Sequence, residues 1–405
     1  MPTLFVHGVN TRQSEPGYKA RLLLIEKFLS RHLAGATING KQLLAVKPRF
    51  PYWGDSATEF AWGMASLPSG RIDSLGGAGV ENDLRPLVAF IQDGLADPKA
   101  AKKEPLLALA KKSLPHAVRT VSDLLLRDAK DADAERIADF ISTVQLYAER
   151  NPKPPWLSGI TTDAQFVNRL VSEAGGFSST GVEALGTFDF ITNPLSAAAT
   201  NLKHAVVSAG DFVLDKAGDF ASTKLLAWGR HPLNEIIGRF FGDVFVYLDA
   251  RGDKNAPGEI PQIILKEVSQ SIADSPGEPL VVIGHSLGGV ICFDLFSHFC
   301  PEIEIDLFVS VGSQVSHFEE MKRFIASDTT IPSAAQKFAK TPDNIKHWIN
   351  VFDEVDIFSY ACEKVFDRVN DFHYDTETYT IKAHGAYFEQ DRFYERLRAR
   401  IDQLP

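Results

Sequence analysis

The string VVIGHSLGGV (Val281 to Val290) constrains this chain more than any other stretch. A β-branched apolar run leads into Gly284-His285-Ser286-Leu287-Gly288, and apolar residues at helical spacing follow. A G-x-S-x-G at the change from buried strand to helix has a mechanical rationale. The serine occupies a tight turn with strained backbone, so its neighbours Gly284 and Gly288 must be tiny to avoid collision. The helix that follows offers its free N–H groups and positive dipole end to an oxyanion forming at Ser286. A bare G-x-S-x-G is common, and the bland alternative is a glycine-rich packing turn with an idle serine. The strand before, the helix after and the extra Gly289 favour the nucleophile.

A serine hydroxyl attacks poorly unless a base takes its proton, and the base needs an acid to fix its tautomer. For a nucleophile on such an elbow the chain order is serine, acid, histidine. HWINVF (His347 to Phe352) reads as a strand ending before Asp353, with Asp356 a few residues on. ETYTIK (Glu377 to Lys382) reads as a last strand ending before Ala383 and His384. His298 falls inside the helix after the nucleophile, His347 opens a strand, His317 precedes the acid, and His373 lies in a loop before the last strand. Only His384 sits at the carboxyl end of a strand, on the edge where Ser286 emerges. For the acid, Asp356 lies further into its loop and is better placed to turn toward an imidazole. Asp353 is the alternative, with Asp367, Asp371 and Asp375 more distant, and the unused member of the pair caps the loop as an Asx residue. The oxyanion donors expected are the N–H groups of Leu287 and Val9. Val9 lies in the loop after the first strand, TLFVHG, where Gly8 lets the backbone turn. His7 then holds that loop, while Asn10 and Arg12 are surface hydrogen-bonders or substrate contacts.

Around these motifs runs an interrupted α/β rhythm. With 405 residues the chain exceeds one simple core. The expected divisions are a first core segment, 1–58, a mostly helical insertion, 59–240, and a second core segment, 241–405. The core segments carry a helix over Tyr18 to His32 and a strand at LLAVKPRF (Leu43 to Phe50). A strand at DVFVYL (Asp243 to Leu248) and a helix over Ile260 to Ile272 follow. Next come strand PLVVIG (Pro279 to Gly284), helix Leu287 to Phe299, strand IDLFVSVG (Ile305 to Gly312) and a closing helix from Ala386 to Ile401. Such alternation implies a mostly parallel sheet covered on both faces. In the insertion, Ile137, Phe140, Ile141 and Val144 share one helix face. Leu195, Ala199, Leu202, Val206, Ala209 and Val213 mark a long amphipathic helix. NPKPPWLSG (Asn151 to Gly159) interrupts the helical pattern, and RDAKDADAER (Arg127 to Arg136) reads as a solvated turn or helix face.

The formal net charge of −10 argues against a nucleic-acid partner, which needs clustered Lys and Arg. Cys292, Cys300 and Cys362 form no CxxC pair and read as reduced thiols. There is no HExxH and no Cys/His cluster, and SLGGAG (Ser74 to Gly79) lacks the Lys-Ser/Thr of a phosphate loop. No metal and no cofactor is expected. No stretch approaches the ~20 apolar residues of a membrane span. The short apolar run near Met1 lacks the features of a signal peptide, so the expectation is a soluble cytoplasmic protein.

Taken together, LFVHG, GHSLGG, WINVFDEVD and AHGAYF resemble the α/β-hydrolase superfamily in its lipase and esterase branch. The HG-then-hydrophobic loop is similar to that of lipases and GPI inositol-deacylase-like serine esterases. The resemblance spans roughly residues 1–55 and 241–405, in the expected motif order. It implies an α/β-hydrolase sheet trimmed at its N-terminal edge, since the chain begins at the strand normally third. It places the acid at the second aspartate of the motif, Asp356. The activity implied is cleavage of carboxylic esters, lipid-like acyl esters among them, through a Ser-His-Asp triad and an acyl-enzyme. Two other readings stay open: an acyltransferase or thioesterase using the same triad, and a recruitment module using the helical insertion. The insertion lies between the oxyanion strand and the nucleophile strand, earlier than the lids of relatives. It is either a lid or a packing domain, with a protein partner as one use of the latter.

Overall fold

The computed structural model describes residues 3–9, 11–44, 47–65, 103–127, 129–177, 188–214, 237–378 and 380–405. Asn10, Ala45 and Val46 of LLAVKPRF, and the glycine cluster Ser74 to Gly79 lie outside the described residues, as do the side chains of Ala209 and Val213. The chain divides into two compact units. One comprises Met1–Gln13, Ile25–Ala61 and Ile236–Pro405, and the other Ser14–Leu24 and Trp62–Glu235. The helical region thus also takes in Ser14–Leu24, ahead of the expected boundary at residue 59.

The first unit is built on strands β1 (Thr3–Val6), β2 (Thr37–Ile38), β3 (Lys41–Gln42), β4 (Val281–His285), β5 (Ile305–Val311), β6 (Ile345–Phe352) and β7 (Asn370–His373). β2 and β3 form a small antiparallel hairpin. The other five make one parallel sheet in the order β1-β4-β5-β6-β7. Every residue of β1 and β5 is buried, as are all of β4 but His285. Continuous apolar strands such as Val281-Val282-Ile283 are what a parallel sheet covered on both faces requires. Leu4, Val282, Phe308 and Trp348 anchor one core cluster with Ile291, Phe296 and Ile264 from the covering helices. The register sets Val6 beside Gly284, His285 beside Val311, and Val311 beside Val351. The turns after β1, β4, β5 and β6 therefore leave the sheet at one carboxyl edge.

Three expected elements differ. LLAVKPRF contributes only a parallel bridge between Leu4 and Arg49, closed by Phe5 N→Arg49 O at 2.9 Å and Arg49 N→Thr3 O at 2.8 Å. Pro48 and Pro51, flanking Arg49, cannot donate to a ladder, which limits the pairing to that single residue. DVFVYL is helical, within a helix over 237–250. Its aromatic and β-branched composition suggests a strand, but Phe240, Val244 and Tyr247 are buried at helical spacing while Phe241 and Phe245 face outward. Tyr247 donates to Asp294 Oδ2 at 2.9 Å, beside the Arg251–Asp294 ion pair at 2.7 Å. ETYTIK is likewise no strand, since Thr380–Ala386 is a short helix. The last strand is the preceding NDFH, and His373 lies within it, not in a loop. It is an edge strand with no fully buried residue, so its sequence carries none of the apolar signal of the inner strands.

The second unit is helical. Pro105–Lys112, Leu114–Arg127, Ala134–Arg150, Asp163–Phe177 and Asp189–Leu214 pack on one another through faces such as Ile137/Phe140/Ile141/Val144 and Leu195/Ala199/Leu202/Val206, all buried. The Pro-rich interruption folds as a 3₁₀ turn, Pro155–Gly159, and Trp156 Nε1 donates to Tyr147 Oη at 2.7 Å. The charged run forms a 3₁₀ turn, Asp131–Asp133, with no buried residue. Pro105 opens its helix, and an orphan N–H of the first turn, that of Leu107, is satisfied by Asp163 Oδ1 at 2.8 Å. Asp163 N donates in turn to Glu104 Oε2 at 2.6 Å, and Lys203 pairs with Glu104 at 2.8 Å.

Burial, reinforced by the nearby Glu104 carboxylate and only partly offset by the Leu107 N–H, pushes the Asp163 carboxyl up to about 6. A folded-state value above the unfolded one means that the folded protein holds the proton more tightly. That contribution is complete below about pH 4 and is lost as pH rises through 6. Asp163→Asn keeps an acceptor for Leu107 and removes the buried charge. Its melting temperature, followed by far-ultraviolet circular dichroism, should exceed that of the wild type at pH 7.5, with the gap closing below about pH 4. An unchanged gap across that range would contradict the assignment.

Candidate active site

The elbow is built by crowding. Ser286 follows β4 and adopts φ 53° and ψ −127°, a left-handed backbone rare for a residue with a side chain. It is held there by Ser286 N→Val311 O at 3.0 Å and by Ser313 Oγ donating to the Ser286 carbonyl at 2.7 Å. A methyl group at Gly284 would lie 2.6 Å from Gly289 Cα. One at Gly288 would lie 2.5 Å from the His7 carbonyl oxygen and closer still to that of Val6. One at Gly8 would lie 2.5 Å from Ser286 Cβ. The end of β1 is thus pressed directly against the turn that carries Ser286.

Ser286 Oγ lies 2.8 Å from His384 Nε2. His384 Nδ1 lies 3.0 Å from each oxygen of Asp356. The carboxylate can only accept at neutral pH, so Nδ1 carries the proton and Nε2 is left to accept from the serine hydroxyl. Asp356 Oδ1 also accepts from Phe358 N at 3.0 Å, and Oδ2 from Tyr387 Oη at 3.0 Å. Ser286 is fully buried, and so is the Asp356 side chain, which strengthens each of these hydrogen bonds. His384 arrives on the short helix Thr380–Ala386 and not from the end of a strand as expected.

Asp353 is used differently. Its Oδ2 accepts from Thr376 N at 2.8 Å and Thr376 Oγ1 at 2.7 Å, and its Oδ1 from Val355 N at 3.0 Å. It caps its own loop and ties it to the segment beyond β7. Asp371 likewise serves the backbone N–H groups of Cys362 and Glu363, Asp367 that of Thr341, and Asp375 that of Glu377.

Two other histidines frame the site without titrating in the neutral range. His7 stacks on Trp53 with centroids 4.7 Å apart, donates from Nδ1 to the Gly8 carbonyl at 2.9 Å, and accepts from Trp53 N at Nε2 at 3.2 Å. Burial lowers its pKa to about 4. Because a trans peptide sets C=O and N–H on opposite sides, pinning the Gly8 carbonyl on His7 turns the Val9 N–H the other way. Leu287, buried, opens the helix Leu287–Asp294, so its N–H has no partner within that helix. Val9 thus follows Gly8, which abuts Ser286, and Leu287 follows Ser286 itself. Arg12, one of the expected surface groups, pairs instead with the buried Asp243 at 3.1 Å.

His285 has no role in the sequence reading beyond filling the variable place of G-x-S-x-G. In the fold its Nε2–H donates to the His384 carbonyl at 2.6 Å, and the two rings lie 4.8 Å apart. Burial, with His384 beside it, lowers its pKa to about 3, so it stays a neutral donor. The signal for Tyr387 is its spacing: it follows His384 by one helical turn in HGAY, so both side chains reach one carboxylate. An aromatic series borders His384. Phe358 is 5.1 Å from the His384 ring, Phe240 stacks on Phe358 at 4.7 Å, and Phe241 and Phe245 continue outward at 5.6 and 6.3 Å.

Among the described residues no group of three or more His, Cys, Asp and Glu is placed to hold a metal ion, and no helix is long and apolar enough to cross a membrane. Crowding at the elbow gives a direct expectation. Gly288→Ala should lower stability by about 1–3 kcal/mol, read as a lower urea midpoint at unchanged slope; a wild-type midpoint would mean that β1 and the elbow are not in contact. The chain matches no protein-family model, no curated protein and no solved structure.

Proposed function

We propose that this protein is a serine hydrolase of the α/β-hydrolase type that cleaves carboxylic esters of hydrophobic acyl groups. The observation that carries the reading is the continuous chain Asp356–His384–Ser286, with 3.0 and 2.8 Å links joining residues remote in sequence. In the proposed reaction His384 Nε2 takes the Ser286 proton as Oγ attacks the ester carbonyl. Asp356 stabilises the imidazolium, and the N–H groups of Leu287 and Val9 receive the oxyanion. His384 then protonates the departing alcohol. Water, activated by the same imidazole, releases the acid from the acyl-enzyme. The neutral His285 and His7 support this chemistry by holding the His384 backbone and the Gly8–Val9 peptide without adding competing charge. The apolar preference rests on Phe358 and Phe240 beside the base, and on Phe241 and Phe245 leading to the surface, where they are 51% and 61% exposed.

The test combines a fluorophosphonate probe with hydrolysis of p-nitrophenyl esters of graded chain length. Wild type should be labelled and should turn over the longer acyl esters. Ser286→Ala should be neither labelled nor active, and Asp356→Asn should lose about 10⁴-fold in kcat. Asp353→Asn should keep most activity and lose melting temperature, because it serves Thr376 and not His384. A folded wild type that neither labels nor hydrolyses any of the esters would end the proposal.

A further inference from the structure

We propose that Tyr387 is a positioning residue for this reaction, setting the strength with which Asp356 holds the His384 imidazolium. The proposal rests on the Ser286–His384–Asp356 reading above. Its basis is the count of donors on one buried carboxylate. Asp356 Oδ1 receives Phe358 N–H, Oδ2 receives the Tyr387 hydroxyl, and both lie at 3.0 Å from His384 Nδ1. Tyr387 is itself fully buried. The phenol is therefore a link in a longer chain, Tyr387–Asp356–His384–Ser286. Gly312, with positive φ of 56°, closes the remaining side: a methyl group there would lie 3.0 Å from Asp356 Oδ2 and 3.2 Å from the Tyr387 ring.

A phenol donating to a buried carboxylate draws charge toward itself and away from the imidazole on the same oxygen. It also fixes the carboxylate plane, so His384 Nδ1–H meets both oxygens evenly. Burial, with the Asp356 charge beside it, pushes the Tyr387 hydroxyl far above its ordinary value, so it remains a donor wherever the protein is folded. Other titratable groups facing this cluster are His285 from β4, His7 after β1, Asp353 from the loop after β6, and Tyr374 beyond β7, whose ring lies 6.1 Å from that of Tyr387. The two histidines stay neutral in the neutral range, and Asp353 is occupied by Thr376.

Tyr387→Phe keeps the ring and removes the donor. With p-nitrophenyl butyrate as probe, kcat should fall about tenfold with KM unchanged. The acidic limb of the kcat/KM profile should move to higher pH, because the freed carboxylate charge holds the imidazolium more tightly. Substituting 3-fluorotyrosine at 387, which strengthens the donor and preserves packing, should move that limb the opposite way. The His384 imidazole titration, followed by nuclear magnetic resonance of ¹⁵N-histidine protein, reads the same shift without any turnover. It therefore separates failure of this inference from failure of the esterase reading. Opposite shifts in the two variants support the role. A drop in melting temperature with the acidic limb and the imidazole titration both at their wild-type positions would make Tyr387 a packing residue only and overturn it.

Discussion

At the carboxyl edge of the sheet the end of β1 and the turn after β4 lie so close that a single added carbon at Gly8 or Gly288 would overlap an atom of the other segment. The rest of the site follows from that approach. It fixes Ser286 at positive φ, and brings the Gly8–Val9 peptide beside the serine. It also aims the first turn of the Leu287–Asp294 helix into the same space. Strain of this kind persists only where surrounding contacts over-determine it. Here those contacts are the Val311 carbonyl and the Ser313 hydroxyl, both supplied by β5 and its turn. The geometry of Ser286 is thus imposed by two neighbouring strands and not by its own loop.

His384 and Asp356 are held in a further set of buried hydrogen bonds. His285 fixes the His384 backbone, Asp353 ties the Asp356 loop to Thr376, and Tyr387 closes on Asp356. A half-satisfied network in such a low-dielectric setting costs more than an apolar core, and a fully satisfied one defines a single arrangement. The two carboxylates, three residues apart in one loop, show how environment divides labour. Asp353 spends its oxygens on Thr376 and Val355, whereas Asp356 offers both of its oxygens to His384.

The elbow was legible because its constraint is local: glycine spacing, a β-branched strand and a following helix all lie within ten residues. The inner strands β4 and β5 were legible because burial on both faces leaves a largely apolar run, and β6 because its middle, Trp348 to Val351, is buried. The edge elements were not. NDFH pairs as β7 with half-exposed side chains, so nothing in its composition marks it, while the strand-like Thr380-Ile381-Lys382 of ETYTIK coil into a helix. DVFVYL misleads for the opposite reason, since tertiary burial of Phe240, Val244 and Tyr247 selects the helical period over β propensity. The position of His384 could be read from its order in the chain although its carrier element could not. Tyr387 and His285 were hidden because their partners are contributed by distant segments.

The strand order across the sheet has a kinetic consequence. β4 to β7 are successive along the chain, and each joins the next across a comparatively modest connection. β1 must pair with β4 across everything from residue 7 to residue 280. Contacts that close so long a loop form after local ones, because the entropy of closure is lost before any pairing rewards it. Four strands can therefore assemble as a sheet whose outer edge is still open at β4, a bare ladder of backbone groups waiting for β1 and prone to accept a stray strand in its place.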